Sequence, residues 1–362
     1  MKKIPNLDTL RFIAASLVIV HHIELYKGAF SISNFAHVPF TKIIGKLGVV
    51  LFFVLSGFLI TTLLLKEKQI KKEISFKKFY IRRILRIWPL YYLIVFLGFF
   101  VWPKISFLEF SNHEHVNDLV NSPLNFIFYL TIFANVGWAV FGNIPFTTQT
   151  WSLATEEQFY LLWPAIINYF NKRLLPVMIL VILLYHASLY FLWSRYSEMI
   201  PFRDYFLGFL YAFNINCMAI GGIFAVLIYR KHKIVDLIFN KYIFLCVTLG
   251  TIILLLLGKK FGNVHYDVYS ILFGIIISNL AFNEKYSDVL ENKMTNYLGS
   301  ISYGLYMYHA IAVVIAIKVS VWFNAHWIIY PLTFVMVIFV SHLSYKYFES
   351  YFLRYKTKFQ NL

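Results

Sequence analysis

Charged residues are scarce in this sequence, and cysteine is almost absent. Only 14% of the 362 residues are charged, whereas soluble domains carry about 25%, so an ordinary soluble domain is excluded. The two cysteines, Cys217 and Cys246, lie inside apolar runs without metal-ligand spacing, which argues against a disulfide framework or a metal site. We interpret both as small core residues, and we expect no metal and no bound cofactor.

The sequence contains many long apolar segments. The sequence is 60% hydrophobic, and its mean hydropathy is +0.67. Runs of about twenty residues match the thickness of a bilayer as helices, and they lack the alternation of barrel strands. We therefore predict an all-α polytopic membrane protein, one domain over residues 1–362, with about ten spans at residues 7–25, 45–65, 84–102, 151–170, 174–193, 208–229, 242–257, 268–282, 301–321 and 327–347.

The formal net charge of +16 lies mainly in the predicted loops. A basic protein can bind nucleic acid, but membrane proteins keep Lys and Arg in cytoplasmic loops, where they set orientation and contact anionic lipids. The densest basic block, residues 66–86, contains only two acidic residues, Glu67 and Glu73. We therefore predict that this loop and the N-terminus are cytoplasmic, with membrane lipids and not nucleic acid as partners.

The apolar segment 124–141 affects the predicted topology. If it were a full span, Lys172 and Arg173 would lie outside the cytoplasm and every later loop would be reversed. We predict that it is a re-entrant or interfacial segment, which requires burial in protein or a place beside a cavity. Both termini are then cytoplasmic, and residues 103–123 form an outer loop.

The first predicted span carries an unusual set of polar residues, Asp8, Arg11, His21 and His22. Ionisable groups in an apolar helix are costly, so a functional role is the default interpretation. Arg11 and His22 lie on nearly the same face, about 16 Å apart along the axis. An alternative is an interfacial Asp8–Arg11 pair, with the histidines at the other headgroup level.

Two adjacent carboxylates, Glu156 and Glu157, follow Trp151 and Ser152 near the start of another predicted span. In the predicted orientation this is an outer helix end, where His22 also lies. A carboxylate that orients an imidazole would allow His22 to take a proton from a hydroxyl. Alternatively, acidic residues here only stabilise a helix N-terminus through the helix dipole.

Arg82, Arg83 and Arg86 cluster at the cytoplasmic end of the third predicted span. Guanidinium groups at this spacing suit forked contacts with phosphate. The alternative is that they only set the orientation of the helix. The change from Lys in the preceding loop to Arg at the helix start favours phosphate binding.

His309 follows Tyr303 on an aromatic-rich predicted span. A single intramembrane histidine can act in a site, but it can equally be hydrogen-bonded to a neighbouring helix without any further role. The sequence leaves both interpretations open.

Several motifs, taken in order along the chain, resemble those of the bacterial acyltransferase-3 family. They are Leu7-Asp8-Thr9-Leu10-Arg11 with His22, Phe52-Phe53-Val54-Leu55-Ser56-Gly57-Phe58-Leu59-Ile60, Arg82-Arg83 with Arg86 and Pro89, Trp151-Ser152-Leu153 with Glu156 and Phe159-Tyr160, and Ser302-Tyr303-Gly304-Leu305-Tyr306 with His309. Each motif alone is weak, whereas their combination is specific.

The resemblance implies an enzyme of the bacterial inner membrane that moves an acyl group, commonly acetyl, from cytoplasmic acyl-CoA to a carbohydrate hydroxyl. It implies that Arg11 and His22 are the Arg/His pair of the family, that Arg82, Arg83 and Arg86 contact the donor, and that Glu156 is the functional carboxylate. We therefore expect His22 and Glu156 to be catalytic and Arg11 to join the three arginines in donor binding. Possible supporting residues are Asp8, Trp151, Ser152, Tyr303, His309 and Glu157, the last at a position where the family is less particular.

Two departures from the family pattern affect these expectations. Ala310 and Ile311 follow His309 where many members have a proline nearby, which weakens any role given to His309. The chain ends soon after its last predicted span, so we expect no appended hydrolase-like domain. The outer loop 103–123 is a candidate for acceptor selection, and a covalent acyl-histidine remains a second possible route.

The alternative function is a proton-coupled transporter of an anionic or sugar-linked metabolite. The arginines would then be counter-charges, and His22 with Glu156 would relay protons. No inverted repeat supports it. A purely structural membrane protein would not account for polar residues concentrated in a few helices.

Overall fold

The computed structural model describes residues 4–109, 113–357 and 359, and these residues form helices without strands. The all-α prediction is confirmed. The α-helices of this part of the chain are α1 Leu7–Ala29, α2 Pro39–Lys71, α3 Phe76–Phe96, α4 His113–Asn121, α5 Pro123–Leu130, α6 Ala134–Phe141, α7 Thr150–Tyr169, α8 Leu174–Trp193, α9 Arg203–Phe213, α10 Ile215–Tyr229, α11 Ile234–Ile238, α12 Lys241–Leu256, α13 His265–Phe282, α14 Lys293–Ser300, α15 Ser302–Trp322, α16 Ile329–Leu343 and α17 Ser350–Thr357.

Eight helical segments of the described residues are long and apolar enough to cross a membrane, two fewer than predicted. The other two predicted spans exist as helices, but α7 is too polar and α12, at 16 residues, is too short. The eight segments are Leu7–Ala29, Pro39–Lys71, Phe76–Lys104, Asn171–Trp193, Arg203–Tyr229, Gly262–Phe282, Ser302–Trp322 and His326–Tyr355. The side of the membrane on which the termini lie stays a prediction.

The segment 124–141 is not one continuous helix. It forms α5 and α6, eight residues each, separated by a turn in which Ile132 has a φ of 63°. A helix of eight residues is about 12 Å long, too short to cross a bilayer. Side chains of the protein hold this segment, since Tyr91 donates to the Tyr129 carbonyl (2.7 Å) and Asn135 to Gln158 (2.9 Å). Its re-entrant placement stays a prediction.

The long helix α2 is the centre of the bundle. It packs against α1, α10 and α13, and most of its residues are buried. Gly57 lies directly against the backbone of Met218 in α10, and Gly221 of α10 lies against the carbonyl of Val54. Small residues permit this close backbone approach, the usual means of helix association in a membrane.

Hydrogen bonds at the start of α1 join it to the segment before α15. Asn6 donates through its side chain to the carbonyls of Leu280 (2.7 Å) and Tyr286 (2.9 Å), and Thr9 donates to the carbonyl of Leu290 (2.9 Å). Each bond joins a side chain at the start of α1 to a backbone carbonyl of residues 280–290. They also place the Asp8–Arg11 turn of α1 beside α14 and α15.

The two cysteines lie in different surroundings. Cys217 is buried in α10 as predicted, but Cys246 is exposed on α12, so only Cys217 is a core residue. The predicted outer loop 103–123 contains residues 110–112 and the side chains of residues 113–115, which lie outside the described residues.

Candidate active site

A cavity of about 370 Å³ lies among α1, α2, α3, α7 and the α14–α15 segment. Five charged residues line it, namely Asp8, Arg11, Arg83, Arg86 and Glu156. Three guanidinium groups face two carboxylates, so the wall carries a formal excess of one positive charge. Such a concave basic surface favours an anionic ligand.

Asp8 and Arg11 form the predicted i, i+3 ion pair, with 2.6 Å between Oδ1 and Nη1. Both side chains line the cavity, so the pair is part of its wall and not only an interfacial contact. The remaining N–H groups of a guanidinium paired in this way are still available to a ligand.

The three clustered arginines have different surroundings. Arg82 does not line the cavity: its Nη2 lies 3.3 Å from Glu67, and its Nη1 donates to the Phe359 carbonyl at 3.0 Å. Arg83 and Arg86 both line the cavity. Helical geometry explains why Arg82 differs from Arg83, because the side chains of these consecutive residues point about 100° apart around the helix axis.

Arg83 is the most unusual of the three. Its Nε is buried and has no hydrogen-bond partner among the described residues. Its guanidinium lies over the rings of Tyr160 (5.4 Å) and Phe79 (5.7 Å), which fix its position. A buried donor without a partner is costly, which makes Arg83 a candidate for contact with a ligand.

Glu156 lies inside the cavity, where each of its carboxylate oxygens accepts one hydrogen bond from a hydroxyl group. Ser56 donates to Oε1 and Tyr160 to Oε2, both at 2.9 Å. The adjacent Glu157 does not line the cavity and instead accepts from the indole of Trp88 at 2.9 Å. The two carboxylates therefore lie in different surroundings, because the side chains of consecutive helical residues point about 100° apart around the helix axis.

His22 and His309 form a pair, with ring centroids 4.7 Å apart. Nδ1 of His22 lies 2.9 Å from the Val18 carbonyl, and Nδ1 of His309 lies 2.6 Å from the Tyr306 carbonyl. Because a carbonyl only accepts, each Nδ1 must carry hydrogen and each neutral ring has its lone pair at Nε2. The His309 Nε2 is buried without a partner in the described part of the chain.

The predicted direct contact between His22 and Glu156 is not formed in this structure. Ser56, which binds Glu156, follows Gly45 by eleven residues in α2, and Gly45 lies beside His21. Eleven residues of α-helix span about 16 Å, so the carboxylate and the histidines occupy different depths. The catalytic roles of His22 and Glu156 remain predictions.

Ser152 and Tyr306 lie at the end of the cavity nearest the histidines. Their hydroxyl oxygens are 2.8 Å apart, both residues line the cavity, and the Tyr306 ring lies 5.7 Å from that of His309. Tyr303 also lines the cavity, and its hydroxyl donates to the Ile87 carbonyl at 2.7 Å, which ties α15 to α3. These contacts place Ser152 and Tyr303 at the candidate site.

Sequence reasoning missed Ser56, Tyr160 and Tyr306 as site residues. Ser56 gave a usable signal, because it is the one serine of a long apolar helix and lies in a motif that resembles the family. Tyr160 and Tyr306 belong to the family-like motifs, but the chain contains 26 tyrosines, and only packing shows that these two line the cavity.

Comparison with known proteins agrees with the motifs. An acyltransferase-3 family model, described as an acyltransferase domain, matches residues 4–346. Peptidoglycan O-acetyltransferase OatA of Listeria monocytogenes is 28% identical over 326 residues, which cover 85% of this chain and 49% of that protein. O-acetyltransferase OatA of Staphylococcus aureus is 30% identical over 181 residues, 48% of this chain and 26% of that protein.

This chain thus spans at most about half the length of these relatives. No solved structure matches it. The family model, however, covers nearly the whole chain, including every helix that lines the cavity. The chain therefore belongs to the acyltransferase-3 family.

Proposed function

We propose that this chain is a multi-pass O-acyltransferase of the bacterial cytoplasmic membrane, and that it transfers an acetyl group from acyl-CoA to a carbohydrate hydroxyl. Two relatives named as O-acetyltransferases support the acetyl group, and one of them, named as a peptidoglycan O-acetyltransferase, supports a cell-wall glycan as acceptor. The observation that carries the proposal is the cavity, which has arginines at one end, a carboxylate within it and a histidine pair beyond its other end.

Arg83 and Arg86, with Arg11, bind the phosphate groups of the donor. All three line the cavity, and Arg83 presents a buried, unpartnered Nε. Charge-assisted contacts of this kind are stronger than neutral hydrogen bonds and suit a planar guanidinium. Arg82, paired with Glu67, supports the fold of the α2–α3 connection instead.

His22 is the proton acceptor in this proposal. Its Nδ1–H is held by the Val18 carbonyl, which leaves Nε2 free to accept a proton. As the acceptor oxygen forms its bond to the acyl carbon, its proton passes to His22 Nε2, and the carbon–sulfur bond breaks to release the CoA thiolate. The proton then neutralises that thiolate, so the step is balanced.

Glu156 organises the middle of the cavity. Its carboxylate receives the hydroxyls of Ser56 and Tyr160 and lies in the same wall as Arg11 and Arg83. It thereby holds two hydroxyl dipoles and supplies a counter-charge to the guanidinium groups before the donor arrives. Its role is to position the groups that bind the acyl donor.

The test is transfer by purified protein. Protein in detergent would be incubated with labelled acetyl-CoA and a peptidoglycan-derived oligosaccharide, and the product identified by mass spectrometry. We expect acetylated oligosaccharide with the native protein and none with His22→Ala. Absence of both transfer and acetyl-CoA hydrolysis would contradict the proposal, and substrate uptake into proteoliposomes without acylation would support a transporter.

A further inference from the structure

We propose that Lys46, Trp138 and Trp151 form an acceptor subsite that binds a sugar ring carrying a carboxylate group. This inference rests on the proposed function and specifies its acceptor. The three residues come from α2, α6 and α7 and lie outside the arginine-lined cavity. None of the contacts described above assigns a role to Lys46 or Trp138.

Lys46 has no carboxylate partner among the described residues. Its Nζ lies 3.8 Å from the ring centroid of Trp151 and 5.7 Å from that of Tyr266. It donates to the carbonyl of Tyr211 at 3.2 Å. An ammonium has three N–H donors, so two remain for a ligand after this one bond. A carboxylate is the group that such a cation binds best.

A nearby carboxylate is already occupied. Asp267, next to Tyr266, accepts from Asn216 at 2.8 Å through Oδ1, and its Oδ2 lies 3.1 Å from Nε2 of His186. Both carboxylate oxygens are therefore bound to other groups. The positive charge of Lys46 is left for a molecule from outside, as expected of a binding site and not of a structural ion pair.

One indole, that of Trp151, lies beside the Lys46 amino group, and a second packs against that indole. The rings of Trp138 and Trp151 have centroids 6.1 Å apart and planes inclined by 31°. Trp138 is oriented at the exposed surface by a 2.7 Å hydrogen bond from its indole N–H to Asn143. The electron-rich face of an indole packs against the polarised C–H groups of a sugar ring. An indole can therefore bind the ring of a sugar acid while the nearby Lys46 binds its carboxylate.

The polar groups in this region distinguish it from a lipid-facing surface. Besides Lys46 and Asp267, the indole of Trp193 donates to the Tyr211 hydroxyl at 2.7 Å. Polar and charged groups in a membrane protein face the bundle interior or a water-filled space, because their burial in lipid is costly. This part of the surface is therefore suited to a polar ligand.

The subsite adjoins the end of the cavity nearest the histidines. Trp151 immediately precedes the cavity residue Ser152, and its ring lies 6.2 Å from that of Phe53, another cavity residue. Lys46 precedes the cavity residue Leu63 in α2 by seventeen residues, about 25 Å of helix. The sugar would thus enter from the end of the bundle opposite to that of the donor arginines.

The first experiment compares two acceptors that differ only in charge. An oligosaccharide containing N-acetylmuramic acid and its carboxyl-reduced counterpart would be titrated in the transfer assay. We expect native protein to have a KM about tenfold or more lower for the acid form, as expected for one charge-assisted contact. Lys46→Gln should lose this preference, whereas Lys46→Arg should keep it.

Lys42→Gln is the matched control. Lys42 lies one turn before Lys46 on α2 and is exposed. The Lys42→Gln variant should show the same preference for the acid form as the native protein. Equal use of the two acceptors by native protein, or the same effect from Lys42→Gln as from Lys46→Gln, would overturn the inference.

The second experiment tests the indoles. Trp138→Ala should raise the KM for both acceptors by about the same factor, because stacking does not depend on the carboxylate. Trp322→Ala, which removes an indole that is 80% exposed on α15, is the control. An unchanged KM in Trp138→Ala would remove this residue from the subsite.

Calorimetric binding of the acid oligosaccharide separates this inference from the proposed function, because it needs no turnover. Binding that Lys46→Gln weakens about tenfold would support the subsite even if transfer were absent. Efficient transfer without any discrimination between the two acceptors would overturn the subsite and leave the acyltransferase proposal intact.

Discussion

The imidazoles of His22 and His309 lie 4.7 Å apart, although they come from the first and the fifteenth helix. Each has its Nδ1 at a carbonyl of its own helix, which directs both free lone pairs to Nε2. In the proposed function, this arrangement allows His22 to accept a proton without a carboxylate partner. It also gives His309 a specific neighbour, which the sequence alone did not indicate.

Replacement of His22 tests the proton acceptor. His22→Ala should lower kcat by about 10²–10⁴-fold, the usual contribution of a general base. His326→Ala, which changes an exposed histidine, is the control. Steady-state kinetics in detergent would measure the effect, and near-native turnover of His22→Ala would remove this residue from the mechanism.

The two adjacent carboxylates should differ in importance. Glu156→Gln replaces one oxygen that accepts from Ser56 or Tyr160 by an NH₂ group, which can only donate. We expect it to lower kcat/KM much more than Glu157→Gln, because Glu157 does not line the cavity. Matched kinetics of the two variants would show the order, and the reverse order would place the essential carboxylate at position 157.

Replacement of the clustered arginines by lysine should raise the KM for acetyl-CoA at two positions and leave it unchanged at the third. Arg83→Lys and Arg86→Lys keep the charge but lose the guanidinium fork, so the KM for acetyl-CoA should rise, with each lost contact worth about 1.5–3 kcal/mol. Arg82→Lys is the control with the same chemical change outside the cavity. If all three variants have native KM values, the donor site does not lie at these residues.

The topology can be tested by reporter fusions. A reporter after Lys172 should lie in the cytoplasm, and one inserted near residue 113 should lie outside it. The reason is that α5 and α6 are each too short to cross, which leaves α7, at 20 residues, as the predicted crossing between these points. The fusion therefore tests whether α7 crosses although it is more polar than the eight apolar segments. An external signal after Lys172 would reverse the predicted orientation of the later helices.

A buried ion pair makes a prediction about stability. Glu24, 1% exposed, binds Lys27 (2.8 Å) and the hydroxyl of Tyr330 (2.7 Å). Glu24→Gln leaves the Lys27 charge buried and uncompensated, which typically costs about 3–5 kcal/mol. Thermal unfolding in detergent should show a clearly lower Tm than for Glu198→Gln, an exposed substitution. Equal Tm values would mean that Lys27 finds another partner.

The sequence by itself determined the helical class, the apolar spans and the family. It also determined which residues share a helix face, since Arg11 and His22 follow from the helical repeat alone. These properties are local or compositional, and a single helix is enough to establish them. The sequence predicted two more spans than the structure shows as long apolar segments, because α7 carries polar site residues and α12 is shorter than the eight apolar segments.

Only the tertiary structure decided which side chains meet. Glu156 binds Ser56 of α2 and not His22, His22 meets His309, and Arg82 binds Glu67 while Arg83 and Arg86 face the cavity. The helical repeat defines the faces of each helix, but the depth and rotation at which two helices pack depend on residues far apart in the chain, such as Gly57 against Met218. That long-range packing, and not any local pattern, brings the site together.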